Sequence, residues 1–162
     1  MKSWDEEVRE DHQALESQMK ALEATFQINV ESEDRLVVLR WIVRNLDSSL
    51  EPHMRKEEEI LFPMLEQLLG EKINVVLMLR RQHKKLRLKI RHLMQLLESS
   101  QFVDWDKISL ACEGFISLFE NHEKTEERLM IDVLELSLKP KEIKALTQFL
   151  NQASRSESEE VL

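Results

Sequence analysis

Two histidine–glutamate pairs share one spacing in this chain: His53 with Glu57, and His122 with Glu126. A helix turns about 100° per residue, so positions four apart lie about 40° apart on one face. On helices, each pair is therefore a preformed chelate that offers an imidazole nitrogen and a carboxylate oxygen to the same point. His12 and His83 add one imidazole each. Imidazole and carboxylate without thiolate suit iron, manganese or zinc rather than copper(I) or an iron–sulfur cluster. Six side chains are too many for one tetrahedral zinc. They suit two metal ions roughly 3.5–4 Å apart, with carboxylates able to bridge.

These residues must be carried by long elements, and the sequence supplies four. Periodic apolar segments run from about Trp4 to Phe26, Glu33 to Leu69, Lys72 to Glu98 and Trp105 to Leu136. Ser32 and Asp104 are expected to cap the second and fourth, and Gly70 to end the second. Pro140 opens a short further helix to Leu150, with Ile143, Leu146 and Phe149 on its apolar side. Short connections between long helices imply antiparallel neighbours. The expected fold is all-α: an antiparallel up-down-up-down four-helix bundle over residues 1–151 with a short C-terminal helix. A disordered tail rich in serine and glutamate is expected over 152–162.

The inward series of the four helices repeat. Val8, His12, Leu15, Met19, Leu22 and Phe26 match Leu79, His83, Leu86, Ile90, Leu93 and Leu97, each 71 positions on. Leu39, Val43, Leu46, Leu50, His53, Glu57, Ile60 and Met64 match Ile108, Cys112, Phe115, Phe119, His122, Glu126, Leu129 and Val133, each 69 positions on. The steps alternate threes and fours, as a bundle seam requires. The domain thus reads as one helical hairpin used twice. Apart from the lone thiol of Cys112, the polar members of these seams are four histidines and two glutamates. A single core histidine is usually a hydrogen-bonded structural residue. Two carboxylates at core positions, in symmetric register with four imidazoles, are costly unless paired or metal-bound, and metal is the shared explanation.

Composition narrows the function. The chain has 162 residues and a net charge of −8, with 33% charged residues and two glycines. One domain with one core is expected, and no nucleic-acid surface, since phosphates demand a basic counter-face. No apolar run reaches the roughly 18 residues a membrane helix needs, and the charged N-terminal stretch does not read as a signal peptide. Cys112 is the single cysteine, so an internal disulfide is excluded and a cytoplasmic location is expected. The absence of tyrosine excludes a phenolate ligand or tyrosyl radical.

Other features have plainer expectations. Glu58 and Glu59 fall off the ligand face and are expected to be mainly solvated, a partner role for one imidazole being the less common case. His92 lies outside the seam and is expected to be exposed or interfacial. Pro52 frees the carbonyl of Ser48, and either aims His53 or bends the helix around the core. Gly114 suggests close approach by a neighbouring helix. Cys112 lies ten residues before His122, about 15 Å along a helix, too far to share its metal. The basic third helix is expected to pair with acidic neighbours.

The stretch from His53 to Pro63, HMRKEEEILFP, closely resembles the H-x-x-x-E-E-x-x-L-F-P signature of hemerythrin-like, or HHE cation-binding, domains. His122-Glu123-Lys124-Thr125-Glu126 resembles its second copy, and Asp11-His12 and Gln82-His83 resemble the family's single-histidine helices. The resemblance covers about Trp4 to Leu150. It implies a centre of two non-haem iron ions, with manganese or zinc as substitutes, bridged by Glu57 and Glu126. Oxygen carriers of the family have a further histidine where this chain has Arg87. They also take their last carboxylate five residues after the last histidine, which would be Glu127. The seam favours Glu126. The four-histidine, two-glutamate set is more similar to members that respond to iron, oxygen or nitric oxide, including proteins that repair iron centres.

The expected ligand set is therefore His12, His53, Glu57, His83, His122 and Glu126, with Leu15, Leu50, Ile60, Leu86, Phe119 and Leu129 as its apolar wall. Oxygen or nitric oxide is the expected small ligand. No nucleophile–base pair or phosphate loop converges, so a binding or sensing module is favoured over an enzyme. The alternatives are a di-iron enzyme, acting on peroxide or nitric oxide or repairing iron centres, and a purely structural bundle that contacts a protein partner.

Overall fold

Amphipathic segments of this length can hide their apolar stripes only against one another. In the computed structural model, which describes residues 4–27, 33–69, 74–98 and 103–136, they do so as a helical bundle. The elements are α1 (Trp4–Gln27), α2 (Glu33–Lys56), a π-helical turn (Glu57–Leu61), α3 (Phe62–Leu69), α4 (Asn74–Glu98) and α5 (Trp105–Leu136). α2, the π turn and α3 follow without a break and form one rod, so the described residues make four rods and contain no strand. Ser32, Gly70, the short C-terminal helix and the acidic tail lie outside the described residues.

Cross-links between neighbouring rods fix the antiparallel register. Arg35 of α2 donates to the carbonyls of Thr25 and Phe26 at the end of α1. Between α2 and α4, Arg40 donates to the Leu97 carbonyl near one end of the interface. Arg80 of α4 pairs at 3.2 Å with Glu66 of α3, further along the same two rods. Arg35 and Arg40 satisfy helix-end carbonyls that would otherwise lack donors. At the start of α5, Asp104 caps as expected: its Oδ1 accepts from Lys107 N–H at 3.1 Å. Gly114 makes room for Lys89 of α4, whose Nζ would stand 2.8 Å from an added Cβ.

The seams are buried largely as the repeat requires. Leu15, Met19 and Leu22 on α1 match Leu86, Ile90 and Leu93 on α4, and Leu39, Val43, Leu46 and Leu50 on α2 match Ile108, Cys112, Phe115 and Phe119 on α5. The repeat breaks just beyond Glu57. Ile60, expected inside, is only partly buried, and Leu61, Phe62 and Leu65 take the inward places. The reason is the π turn. Phe62 N–H bonds to the Glu57 carbonyl five residues back, which inserts one extra residue into the turn. Pro63 has no N–H with which to close an α-turn on the Glu59 carbonyl. The corresponding part of α5 stays α-helical, and there Leu129 keeps the inward place. No helix among the described residues is long and apolar enough to cross a membrane.

The core is divided. A large apolar cluster, including Leu22, Leu46, Leu50, Leu86, Phe115 and Phe119, fills one side. A smaller one, built on Leu61, Phe62, Leu65, Val76, Leu79 and Leu129, fills the other. Between them, in every rod, the chain places a histidine.

Candidate metal centre

Each rod contributes at the level of that division: His12 from α1, His53 and Glu57 from the second rod, His83 from α4, and His122 and Glu126 from α5. His53, Glu57, His83, His122 and Glu126 are at most 4% exposed, which makes this the polar heart of the core. His12 is the outermost, its side chain 17% exposed. The helix that carries His53 runs unbroken through Pro52 to Lys56.

Glu57 is the hub. Its Oε1 lies 3.0 Å from His53 Nε2 and 3.8 Å from His12 Nε2. Its Oε2 lies 2.9 Å from His83 Nε2 and 3.7 Å from His122 Nε2. Glu126 Oε2 stands 3.5 Å from His12 Nε2 and 3.9 Å from His122 Nε2. Two overlapping groups result: His12, His53, Glu57 and Glu126, and Glu57, His83 and His122. The rings are crowded edge to face, His12 on His53 with centroids 4.8 Å apart and His83 on His122 at 4.7 Å.

A cation fits this arrangement better than hydrogen bonding does. Both Glu57 oxygens, Glu126 Oε2 and His12 Nε2 are buried, yet none receives or makes an aligned hydrogen bond. The nitrogens close on Glu57 by distance but converge on a shared space instead of donating into the carboxylate. Two donors each about 2.1 Å from one ion, at right angles, stand about 3 Å apart, which is the separation of His53 and His83 from Glu57. A buried carboxylate left without partners is costly, and a divalent ion removes that cost.

The electrostatics point the same way. Burial pushes the Glu57 carboxyl up, but the imidazoles of His12, His122, His53 and His83 outweigh it and hold Glu57 well below the usual carboxylate range. Burial, then the charge of Glu57, drives Glu126 well above that range. Burial lowers His12, but its contact with Glu57 more than offsets this and leaves it raised. For His122 burial wins, and its pKa falls. The two carboxyls are thus driven in opposite directions, Glu57 toward the charged form and Glu126 toward the neutral one.

Glu127 is exposed and lines an open groove of about 300 Å³ between α1 and α5, together with Glu16, Phe119, Glu120 and Glu123. Of the two adjacent glutamates, only Glu126 reaches the histidines. His92 is exposed. The Cys112 thiol is buried, which pushes its pKa up to about 12, so it is an inert core residue.

Glu58 departs from expectation. It accepts from His83 Nδ1 at 2.9 Å and is gripped by Arg87. The α-helical seam pattern gives no hint of this, because the π turn sets the angle at which Glu58 leaves the rod. The seam pattern gives Gln82 no role either. Buried next to His83, it lies 3.2 Å from His122 Nδ1 through its Oε1. Its position one residue off the seam, beside a candidate ligand, was the available signal.

The model of the hemerythrin HHE cation-binding domain matches residues 5–134, with a second, overlapping match over residues 74–154. The second match opens where α4 and the second hairpin begin. No curated protein and no solved structure matches the chain.

Proposed function

The chain belongs to the hemerythrin HHE cation-binding family, and from that premise we propose that it is a non-haem di-iron protein. It binds or senses oxygen, nitric oxide or iron through His12, His53, Glu57, His83, His122 and Glu126. The observation that carries the reading is Glu57: a fully buried carboxylate, without an aligned hydrogen bond on either oxygen, between two groups of imidazoles. Its two oxygens face different groups, which suits a bridge between two ions. Nitrogen and oxygen donors without thiolate suit iron, with manganese or zinc as substitutes.

Iron held there would supply reversible electron exchange and affinity for a small diatomic ligand. The rest is the work of the chain. Glu126 must be ionised and His12 neutral at Nε2 for either to hold a cation, and since both pKa values are raised, metal competes with protons there. Leu50, Leu86, Phe119 and Leu129 are buried in the clusters on either side of the histidines and keep bulk water from them. An apolar surround of this kind favours a small uncharged ligand.

The test is optical titration of anaerobically loaded protein. Addition of nitric oxide or oxygen is expected to give new visible absorption bands that saturate at a fixed ratio to protein. Spectra that do not change with either gas would overturn the small-ligand reading. Sustained consumption of nitric oxide or peroxide beyond that ratio would replace it with the enzyme reading.

A further inference from the structure

His83 and His122 face each other with their Nε2 atoms 3.2 Å apart, but their outer nitrogens are held differently. His83 Nδ1 lies 2.9 Å from Glu58 Oε1. A carboxylate only accepts, so the ring proton sits on Nδ1, which leaves the Nε2 lone pair for the centre. Glu58 is itself clamped by Arg87, with Nη1 to Oε1 at 2.8 Å and Nη2 to Oε2 at 3.1 Å. The same guanidinium holds Glu51 through Nε at 2.8 Å and Nη2 at 3.1 Å. His122 Nδ1 meets only an amide oxygen, that of Gln82, at 3.2 Å.

The repeat makes the asymmetry informative. The counterpart of Glu58 in the second hairpin is Glu127, which is exposed. The counterpart of Gln82 on α1 is Asp11, which pairs with Lys56 at 3.1 Å. The Glu58 arrangement, which joins the π turn to α4, thus has no equivalent in the other copy of the repeat. A carboxylate that accepts from a ligand imidazole fixes its orientation and raises its basicity.

We propose that Glu58, braced by Arg87, is a positioning residue. It aims His83 Nε2 at the centre and makes the group of Glu57, His83 and His122 bind its metal ion on terms different from the group of His12, His53, Glu57 and Glu126. The proposal rests on the two-ion reading above. Arg87, which stands where the family's oxygen carriers have a further histidine, then serves this centre by holding a carboxylate in place instead of ligating metal.

The test is anaerobic titration of the full chain with ferrous iron, resolving two dissociation constants, with iron Mössbauer spectra of the loaded samples. In Glu58→Ala one ion is expected to bind about 10–100-fold more weakly, as loss of an outer partner of a ligand histidine does. Glu58→Gln should fall between Glu58→Ala and the wild type, because its amide oxygen still accepts from Nδ1–H without the charge. Glu51→Ala removes the other partner of Arg87 and is expected to stay near the wild type. Only one of the two iron signals should shift in the Glu58 variants. Equal weakening of both ions, or Glu51→Ala as damaging as Glu58→Ala, would reduce Glu58 to a structural ion pair and overturn the proposal. So would a Glu58→Ala protein that binds two ions as the wild type does, which leaves the two-ion reading intact. A wild-type protein that takes up no metal overturns that reading and this proposal together.

Discussion

Glu57 and Glu126 occupy equivalent places in the two halves of the chain, yet their surroundings drive them in opposite directions. Four imidazoles pull Glu57 toward its charged form, while burial and the nearby charge of Glu57 push Glu126 toward its neutral form. If both hold metal, Glu126→Ala should weaken binding by more than about 100-fold, beyond what loss of an outer partner does. Glu127→Ala should stay within about twofold of the wild type, and the reverse ranking in a metal titration would re-register α5. Glu123 offers a separate test in the metal-free protein. Burial pushes it up to about 7, with His12 opposing and Glu16, Glu127 and Glu120 adding to the rise. A carboxyl raised in the fold stabilises below its unfolded value near 4.5 and loses that stability as pH climbs through about 7. Glu123→Gln should therefore gain about 1 kcal/mol over the wild type at pH 8, after allowance for solvent screening, and nothing at pH 4. Thermal melts across pH measure this, and a gain that does not depend on pH would contradict it.

At the scale of elements, the π turn after Glu57 is the feature that separates the two hairpins. It shifts the inward places from Ile60 to Leu61 and Phe62 and brings Glu58 to His83. Leu61→Ala should cost about 2–5 kcal/mol, as a core truncation does, and Ile60→Ala about 1 kcal/mol. Urea melts that rank them the other way would restore an unbroken α-helical seam. This element also marks where the sequence stopped being legible. Alternating threes and fours placed Leu15, Leu50, Leu86 and Phe119 inside correctly, because burial of a bundle stripe follows α-helical geometry. The same spacing led from His53 to Glu57 and from His122 to Glu126, which the structure brings together. It failed at Ile60, since a one-residue insertion into a turn changes backbone hydrogen bonding without changing composition. Pro63 was the visible sign of it. An unbroken α-helix makes Glu58 a mainly solvated charge; its direction toward His83 depends on the widened turn.

For the whole molecule, the two apolar clusters on either side of the histidines suggest a bundle that folds without metal and is tightened by it. Metal bound only to the native state adds RT ln(1 + [L]/Kd), about 4 kcal/mol at a thousandfold excess over Kd. For a domain of this size that is a rise of about 10 °C in Tm. Ligand histidines must be neutral and both carboxylates ionised, so the rise should shrink on acidification, and metal should leave before the helices melt. Circular dichroism melts with and without ferrous iron over a pH series follow this, and an unchanged Tm at neutral pH with the site loaded would leave the metal a passenger. The most direct test is the metal count itself. The chain reconstituted anaerobically with ferrous iron, freed of excess metal and assayed for iron and protein should hold about two ions per molecule. Replacement of Glu57 by alanine should bring that number close to zero while the helical circular dichroism is retained. A well-folded wild-type protein that holds only trace metal, or a Glu57 variant that still holds two ions, would contradict the two-metal centre.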